Sequence, residues 1–179
     1  YNLTGNFYTD VTNASRTLLY DLYDMKWCSD LLEKLDIPIN SLPQVKPSFS
    51  NFGEMKEIIP GVPVTAILGD QQAALFGQNC INKGDVKNTY GTGCFALTNT
   101  GKEIVKSNNG LLTTIAYQKE GEDPMFALEG SVPIAGAAVQ WLRDNLNIID
   151  KSKDIESLAM LEKDNGDVYF VPAFSGLFS

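Results

Sequence analysis

The sequence contains no histidine among its 179 residues, and this absence excludes more chemistry than any other feature of the composition. Without an imidazole there is no Ser-His-Asp triad, no Cys-His nucleophile pair and no His-ligated metal. Cysteine is nearly as scarce. Cys28, Cys80 and Cys94 are widely spaced and form no CxxC pair, so they read as reduced packing residues rather than a zinc or redox site. Long apolar runs are missing too: no stretch reaches the ~18 residues that cross a bilayer. The opening also lacks the basic, apolar, then small-residue order of a secretion signal. Positive charge is in deficit, with 14 Lys+Arg against 22 Asp+Glu and a formal charge of −8. With no compensating basic patch, that balance repels nucleic-acid phosphates and anionic lipids. The expectation is a cytoplasmic protein with neither a nucleic-acid partner nor a membrane-inserted segment.

What is present can build a core. At 44% hydrophobic and 20% charged residues, the chain is long enough for one large core or two small ones. It starts at Tyr1 rather than Met and breaks off after a strand and turn, which reads as an internal piece of something longer. Leu18, Leu19, Leu22, Tyr23, Trp27, Leu31, Leu32 and Leu35 recur every three to four residues, predicting two helices with a break near Trp27 to Ser29. Ser29 is the expected N-cap of the second, and Pro38 its stop. The prolines at 38, 43, 47 and 60 mark an irregular connection. Val62 to Leu68 then reads as a buried strand ending in Gly69-Asp70, with QQAALFGQ as a helix start. Strands are predicted over 86–90, 94–99, 111–117 and 125–129. Helices are expected from Ser131 onward and over 151–161, with a last strand over 168–171. The pattern is α/β or α+β, with a domain break near residues 78–85.

Three constellations offer chemistry. A carboxylate at the end of a strand, as predicted for Asp70, sits where α/β ligand sites usually lie and suits a general base; the same spacing reads as an N-cap for the helix after it. Gly91-Thr92-Gly93 between two strands offers backbone amides and a hydroxyl to a phosphate, or is an ordinary tight hairpin. Gly136 and Gln140 share one helical face, where a glycine admits a flat group and an amide can bond its edge; close helix packing explains the same spacing. Lys83, Lys87, Lys102 and Lys106 read as solvated surface.

Together, TDVTNASRTLLYDL (Thr9 to Leu22), GDQQAALFGQ (Gly69 to Gln78), KNTYGTGCF (Lys87 to Phe95), NNGLLTTIAY (Asn108 to Tyr117) and ALEGSVPIAGAAVQWLRD (Ala127 to Asp144) are collinear and span nearly the whole chain. They closely resemble the FGGY family of carbohydrate kinases, in the wording of its glycerol-phosphorylating members. The resemblance implies an α/β, actin-like ATPase (ribonuclease H-like) fold of two domains with ATP and substrate in the cleft between them. Residues 1–80 would be the end of the first, substrate-side domain, and 81–179 the start of the second, nucleotide-side domain. It implies Asp70 as general base toward glycerol, Gln71 as a second glycerol contact, and Gly91 and Thr92 at a phosphate. It implies Gly136 and Gln140 along the adenine nucleotide site. ATP and Mg2+ are the expected cofactors, with no metal ligand identified in this stretch. The complete protein is expected to be a homo-oligomer, as family members often form dimers or tetramers. The family's first phosphate loop, most of its polyol pocket and a later nucleotide segment match nothing here, so this stretch alone is expected to be inactive. The rival expectations are another sugar or polyol kinase of the family and a non-catalytic kinase-like binding module.

Overall fold

A short strand running into a single capped turn opens the chain: β1 (Tyr8–Asp10) leads to α1 (Val11–Ala14), and the Asp10 carboxylate accepts the amides of Thr12 and Asn13. Two orphan N–H groups are thereby satisfied, which is what an aspartate does best at this position. The computed structural model describes residues 1–176 and divides into two units: residues 1–87 with 97–129, and residues 88–96 with those from 130 on.

In the first unit the predicted helix before Trp27 is absent. The chain instead makes a hairpin of β2 (Tyr20–Asp21) and β3 (Lys26–Trp27), with Tyr20 opposite Trp27 and their rings edge to face at 5.4 Å. The reason is local polar competition. Ser15 and Thr17 return hydroxyl hydrogen bonds to the carbonyls of Thr12 and Ala14, and the Asp21 carboxylate accepts the amides of Tyr23 and Asp24. These bonds offer the backbone an alternative to the helical ladder. Leu18 and Met25 take positive φ, and Leu18, counted in the periodicity, is 85% exposed.

The second helix forms as α2 (Ser29–Lys34), although Cys28 holds the cap position and Ser29 is the first helical residue. Asp36 at φ 54° ends it before Pro38. The proline-rich connection is irregular apart from one turn of 3-10 helix at Ile39–Ser41 and β4 (Gln44–Lys46), which pairs in parallel with β1. Val62 to Leu68 is not a strand. It makes only isolated bridges, Glu54 with Pro63 and Phe49 with Ala66, because Pro63 has no N–H to give a ladder. Its neighbours bond to three separate places: Val64 to Phe52 and Gly53, Ile67 to Ser48, and Gly69 to Thr12. Next comes α3 (Asp70–Gly77).

The four predicted strands form one sheet: β5 (Val86–Tyr90), β6 (Cys94–Gly101), β7 (Leu112–Tyr117) and β8 (Met125–Val132), in the order β5-β6-β8-β7. β7 and β8 are antiparallel, Leu112 facing Glu129, with an irregularity between Ile115 and Tyr117. Helices α1 and α3 both pack on β7, which is why its residues from Thr114 to Tyr117 are all buried. Two apolar clusters result: Leu75, Cys80, Leu97, Ala116, Tyr117 and Ala127, and separately Val11, Ala14, Tyr20, Ile115 and Phe126. All three cysteines are free, with Cys80 in the first cluster.

The second unit carries α4 (Gly136–Asp144) and, after a 3-10 turn at Ser152–Asp154, α5 (Ile155–Ala159). The helix predicted from Ser131 begins only at Gly136, because Ser131 and Val132 still belong to β8. Val168 to Val171 forms no ladder and is exposed; Phe170 there stacks on Trp141 at 5.7 Å. Gly93 and Ile149 are the buried residues of this unit among those described.

Candidate active site

Asp70 is the first residue of α3, with Gly69 at the cap position. It is therefore neither the end of a strand nor the N-cap, the two placements that its spacing suggested. A carboxylate in the first helical turn is favoured by the helix dipole, and this one is exposed. Its Oδ1 accepts the Gln71 amide at 2.8 Å and its Oδ2 accepts Gln71 Nε2 at 3.2 Å. The Gln71 side chain is oriented in turn: its Oε1 accepts the Lys87 ammonium. The row runs Lys87 to Gln71 to Asp70.

Lys87 departs from the solvated surface position expected for it. It is 5% exposed, because in β5 the lysine points inward while Val86 points out. Burial pulls its ammonium below the usual lysine range, and the charges of Glu129 and Asp70 pull it partly back up. Glu129 is buried and also paired with Arg16 at 2.9 Å. A charge taken out of water this way must be paired, and Arg16 supplies a partner for Glu129.

Behind Asp70 the backbone is fastened by side chains. Gly69 N donates to Thr12 Oγ1 at 2.8 Å, and Thr12 Oγ1 donates to Asp10 Oδ2 at 2.7 Å. Gln72, 2% exposed, donates through Nε2 to Thr114 Oγ1 at 3.2 Å. Asp10, Thr12, Arg16, Lys87 and Glu129 escaped the reading of the sequence as site residues. The one local signal was Asp10 two residues before Thr12, a capping pattern; the others depend on partners distant in the chain.

In the second unit the Gly91-Thr92-Gly93 loop joins β5 and β6. Gly91 N donates to Gly93 O at 2.8 Å. Gly91 O accepts the Gly136 amide at 2.9 Å, and Thr92 O accepts the amides of Ala135 and Ala137 at 2.8 and 3.1 Å. The loop carbonyls thus cap the start of α4, taking donors that a helix leaves unpaired. Glycine is required on both sides of this join. A Cβ on Gly136 would lie 2.6 Å from Gly91 O, and one on Gly93 would lie 2.6 Å from Val132 O and 2.9 Å from Pro133 O. Thr92 remains exposed at the tip, and Gln140 lies exposed one turn into α4.

An exposed carboxylate with an oriented amide beside it can bind a hydroxyl and take its proton. An exposed threonine between two glycines can meet a phosphate oxygen with little steric obstruction. Among the described residues, no group of three or more Cys, Asp or Glu side chains is arranged to hold a metal ion, and no helix is long and apolar enough to cross a membrane.

Residues 1–77 match the N-terminal domain of the FGGY family of carbohydrate kinases, and residues 86–179 match its C-terminal domain. The chain is 58% identical to a glycerol kinase of Brucella anthropi, over 100% of this chain and 37% of that protein. It is 55% identical to one of Corynebacterium glutamicum, over 96% of this chain and 34% of that one. A solved structure of Plasmodium falciparum glycerol kinase with ADP superposes with a TM-score of 0.88 at 43% identity, over 99% of this chain and 36% of that one. Xylulose kinase from Rhodospirillum rubrum shares the fold at a TM-score of 0.76 and 22% identity, over 97% of this chain and 37% of that one. The chain therefore spans a little over a third of the length of the relatives it matches.

Proposed function

Because this chain belongs to the FGGY family of carbohydrate kinases, we propose that it is part of an enzyme that transfers the γ-phosphoryl group of ATP to glycerol, giving sn-glycerol 3-phosphate and ADP. Its fold is the actin-like, ribonuclease H-like α/β fold of that family. Residues 1–80 form the end of the substrate-side domain, and 81–179 the start of the nucleotide-side domain. The observation that carries the reading is the exposed Asp70 carboxylate at the start of α3, held by Gln71, in a chain 58% identical to a glycerol kinase over its whole length.

Asp70 accepts the proton of the attacking glycerol hydroxyl as that oxygen bonds to the γ-phosphorus and the bond from phosphorus to the bridging oxygen of ADP breaks. Gln71 contacts glycerol and keeps the carboxylate turned toward it. Thr92 and Gly91 meet a phosphate, while Gly136 and Gln140 line the adenine nucleotide site. The donor set fits such a ligand: a hydroxyl flanked by glycines at a loop tip, and an amide one turn along the adjoining helix. Mg2+ bound through the nucleotide's phosphates would neutralise charge as the phosphoryl group moves, which needs few protein ligands. Positioning and charge stabilisation carry such a transfer, with no histidine required.

The test is ADP release by the complete protein with glycerol beside a panel of pentoses and other polyols. Turnover with glycerol alone supports the reading. Turnover only with another acceptor moves the substrate to the sugar kinases of the family, and nucleotide binding without turnover on any acceptor makes the protein a non-catalytic binding module. The 179-residue piece by itself is expected to give no turnover.

A further inference from the structure

The segment leading into Asp70 is not part of a strand ladder, so something else must fix where that residue stands. Its last attachment before the helix is the bond from Gly69 N to Thr12 Oγ1 at 2.8 Å. Thr12 and Asp10 are both fully buried. The Asp10 carboxylate receives five hydrogen bonds: Thr12 N at 2.9 Å, Thr12 Oγ1 at 2.7 Å, Asn13 N at 3.1 Å, Asn13 Nδ2 at 2.7 Å and Ser48 Oγ at 2.8 Å. Capping a four-residue helix needs two of these at most. Of the other three, the bond from Asn13 Nδ2 stays within α1, while those from Thr12 Oγ1 and Ser48 Oγ tie separate stretches together, because Thr12 also accepts Gly69 N and Ser48 also accepts Ile67 N through its carbonyl at 2.9 Å. Asp10 thus grips the 67–69 segment twice, through Ser48 and through Thr12.

From this arrangement we infer that Thr12, oriented by Asp10, is a positioning residue for Asp70: it sets the place of the catalytic carboxylate through the Gly69 amide without touching substrate. The hydroxyl suits this relay because it donates to the carboxylate with its one proton and accepts Gly69 N–H on a lone pair. A carboxylate at the far end, acceptor-only when ionised, fixes that direction and strengthens each bond. The inference rests on the reading of Asp70 as general base.

The experiment compares Thr12→Val and Thr12→Ser in the complete protein. Valine keeps the branched shape and removes the relay; serine restores it. Thr12→Val is expected to lower kcat for glycerol by on the order of 10²-fold, as misplacement of a catalytic group by about an ångström does, with the KM for ATP unchanged. Thr12→Ser is expected to recover most of the lost kcat. The Gly69 amide, followed by hydrogen exchange, is expected to open about tenfold faster in the valine variant only. A merely structural role would lower the folded fraction and leave kcat per folded molecule unchanged, and that result overturns the inference. So does unchanged exchange at Gly69, whatever the substrate proves to be; if the complete protein turns over no acceptor, the functional reading falls and the inference falls with it, whereas unchanged exchange beside normal turnover overturns the inference alone. Should Thr12→Val fail to fold, Ser48→Ala loosens the same carboxylate from the other side: slower turnover supports the inference and unchanged turnover overturns it.

Discussion

In the first unit Asp70 is held in place by side chains: Thr12 and Asp10 behind its backbone, Gln71 and Lys87 beside its carboxylate. In the second, the Gly91-Thr92-Gly93 loop is fastened to α4 by backbone alone, through the carbonyls of Gly91 and Thr92. The packing differs in the same direction. The first unit has two buried apolar clusters, whereas α4 has no buried residue. The contrast indicates which substitutions each site tolerates. A side-chain network is disabled by removing one hydroxyl or amide. A backbone join is indifferent to most side-chain changes and fails when a methyl group is placed where two chains meet.

The largest change in stability is expected from the core under Asp70. Leu75 lies on α3 and is fully buried; Leu75→Ala should destabilise by about 2–5 kcal/mol through lost burial and a residual cavity. Denaturant unfolding of the complete protein checks this, and a loss confined to the first unit would sharpen the contrast. Next is Gly136→Ala, whose Cβ would meet Gly91 O at 2.6 Å. Overpacking of this kind costs about 1–3 kcal/mol, and here it should appear as a raised KM for ATP with the KM for glycerol unchanged. An equal rise in both would break the proposed assignment of ATP and glycerol to different residues. The effect that is absent at neutral pH is that of Tyr20. Burial raises the Tyr20 phenol from 10.0 to about 12, so between these values the unfolded chain has already released a proton that the folded one keeps. Stability therefore falls as pH rises across that window. Tyr20→Phe should flatten the fall, measured by unfolding at a series of alkaline pH values.

The strands β5 to β8 were legible because their β-branched and aromatic runs are punctuated by glycine turns, a signal set within a few residues. The hairpin of β2 and β3 was not. Its leucines and aromatics carry a helical spacing, and what overrides it is a set of serine, threonine and aspartate hydrogen bonds that apolar periodicity does not register. Val62 to Leu68 misled for a related reason: apolar and β-branched content suggests a strand, yet Pro63 cannot join a ladder. At the site, Asp70 and the glycine-flanked Thr92 stand out as groups suited to chemistry, but their spacing alone fits a cap and a hairpin as well; the structure removes the cap reading of Asp70, and the proposed roles rest on the collinear blocks. The support behind them was invisible. Asp10 meets Ser48 across 38 positions and Thr12 meets Gly69 across 57, and no local pattern reports such pairings. Lys87 was misplaced because a lysine between turns is usually solvated; its inward turn follows from Glu129 and Gln71, which come from other elements.

The most direct test of Asp70 as the base is rapid-quench formation of glycerol 3-phosphate in a single turnover, wild type beside Asp70→Asn, with glycerol and ATP binding measured on both. With both ligands still bound, the variant should form product about 10²- to 10⁴-fold more slowly, the usual contribution of a general base. Product formed at the wild-type rate by a folded, ligand-bound Asp70→Asn protein would contradict the account.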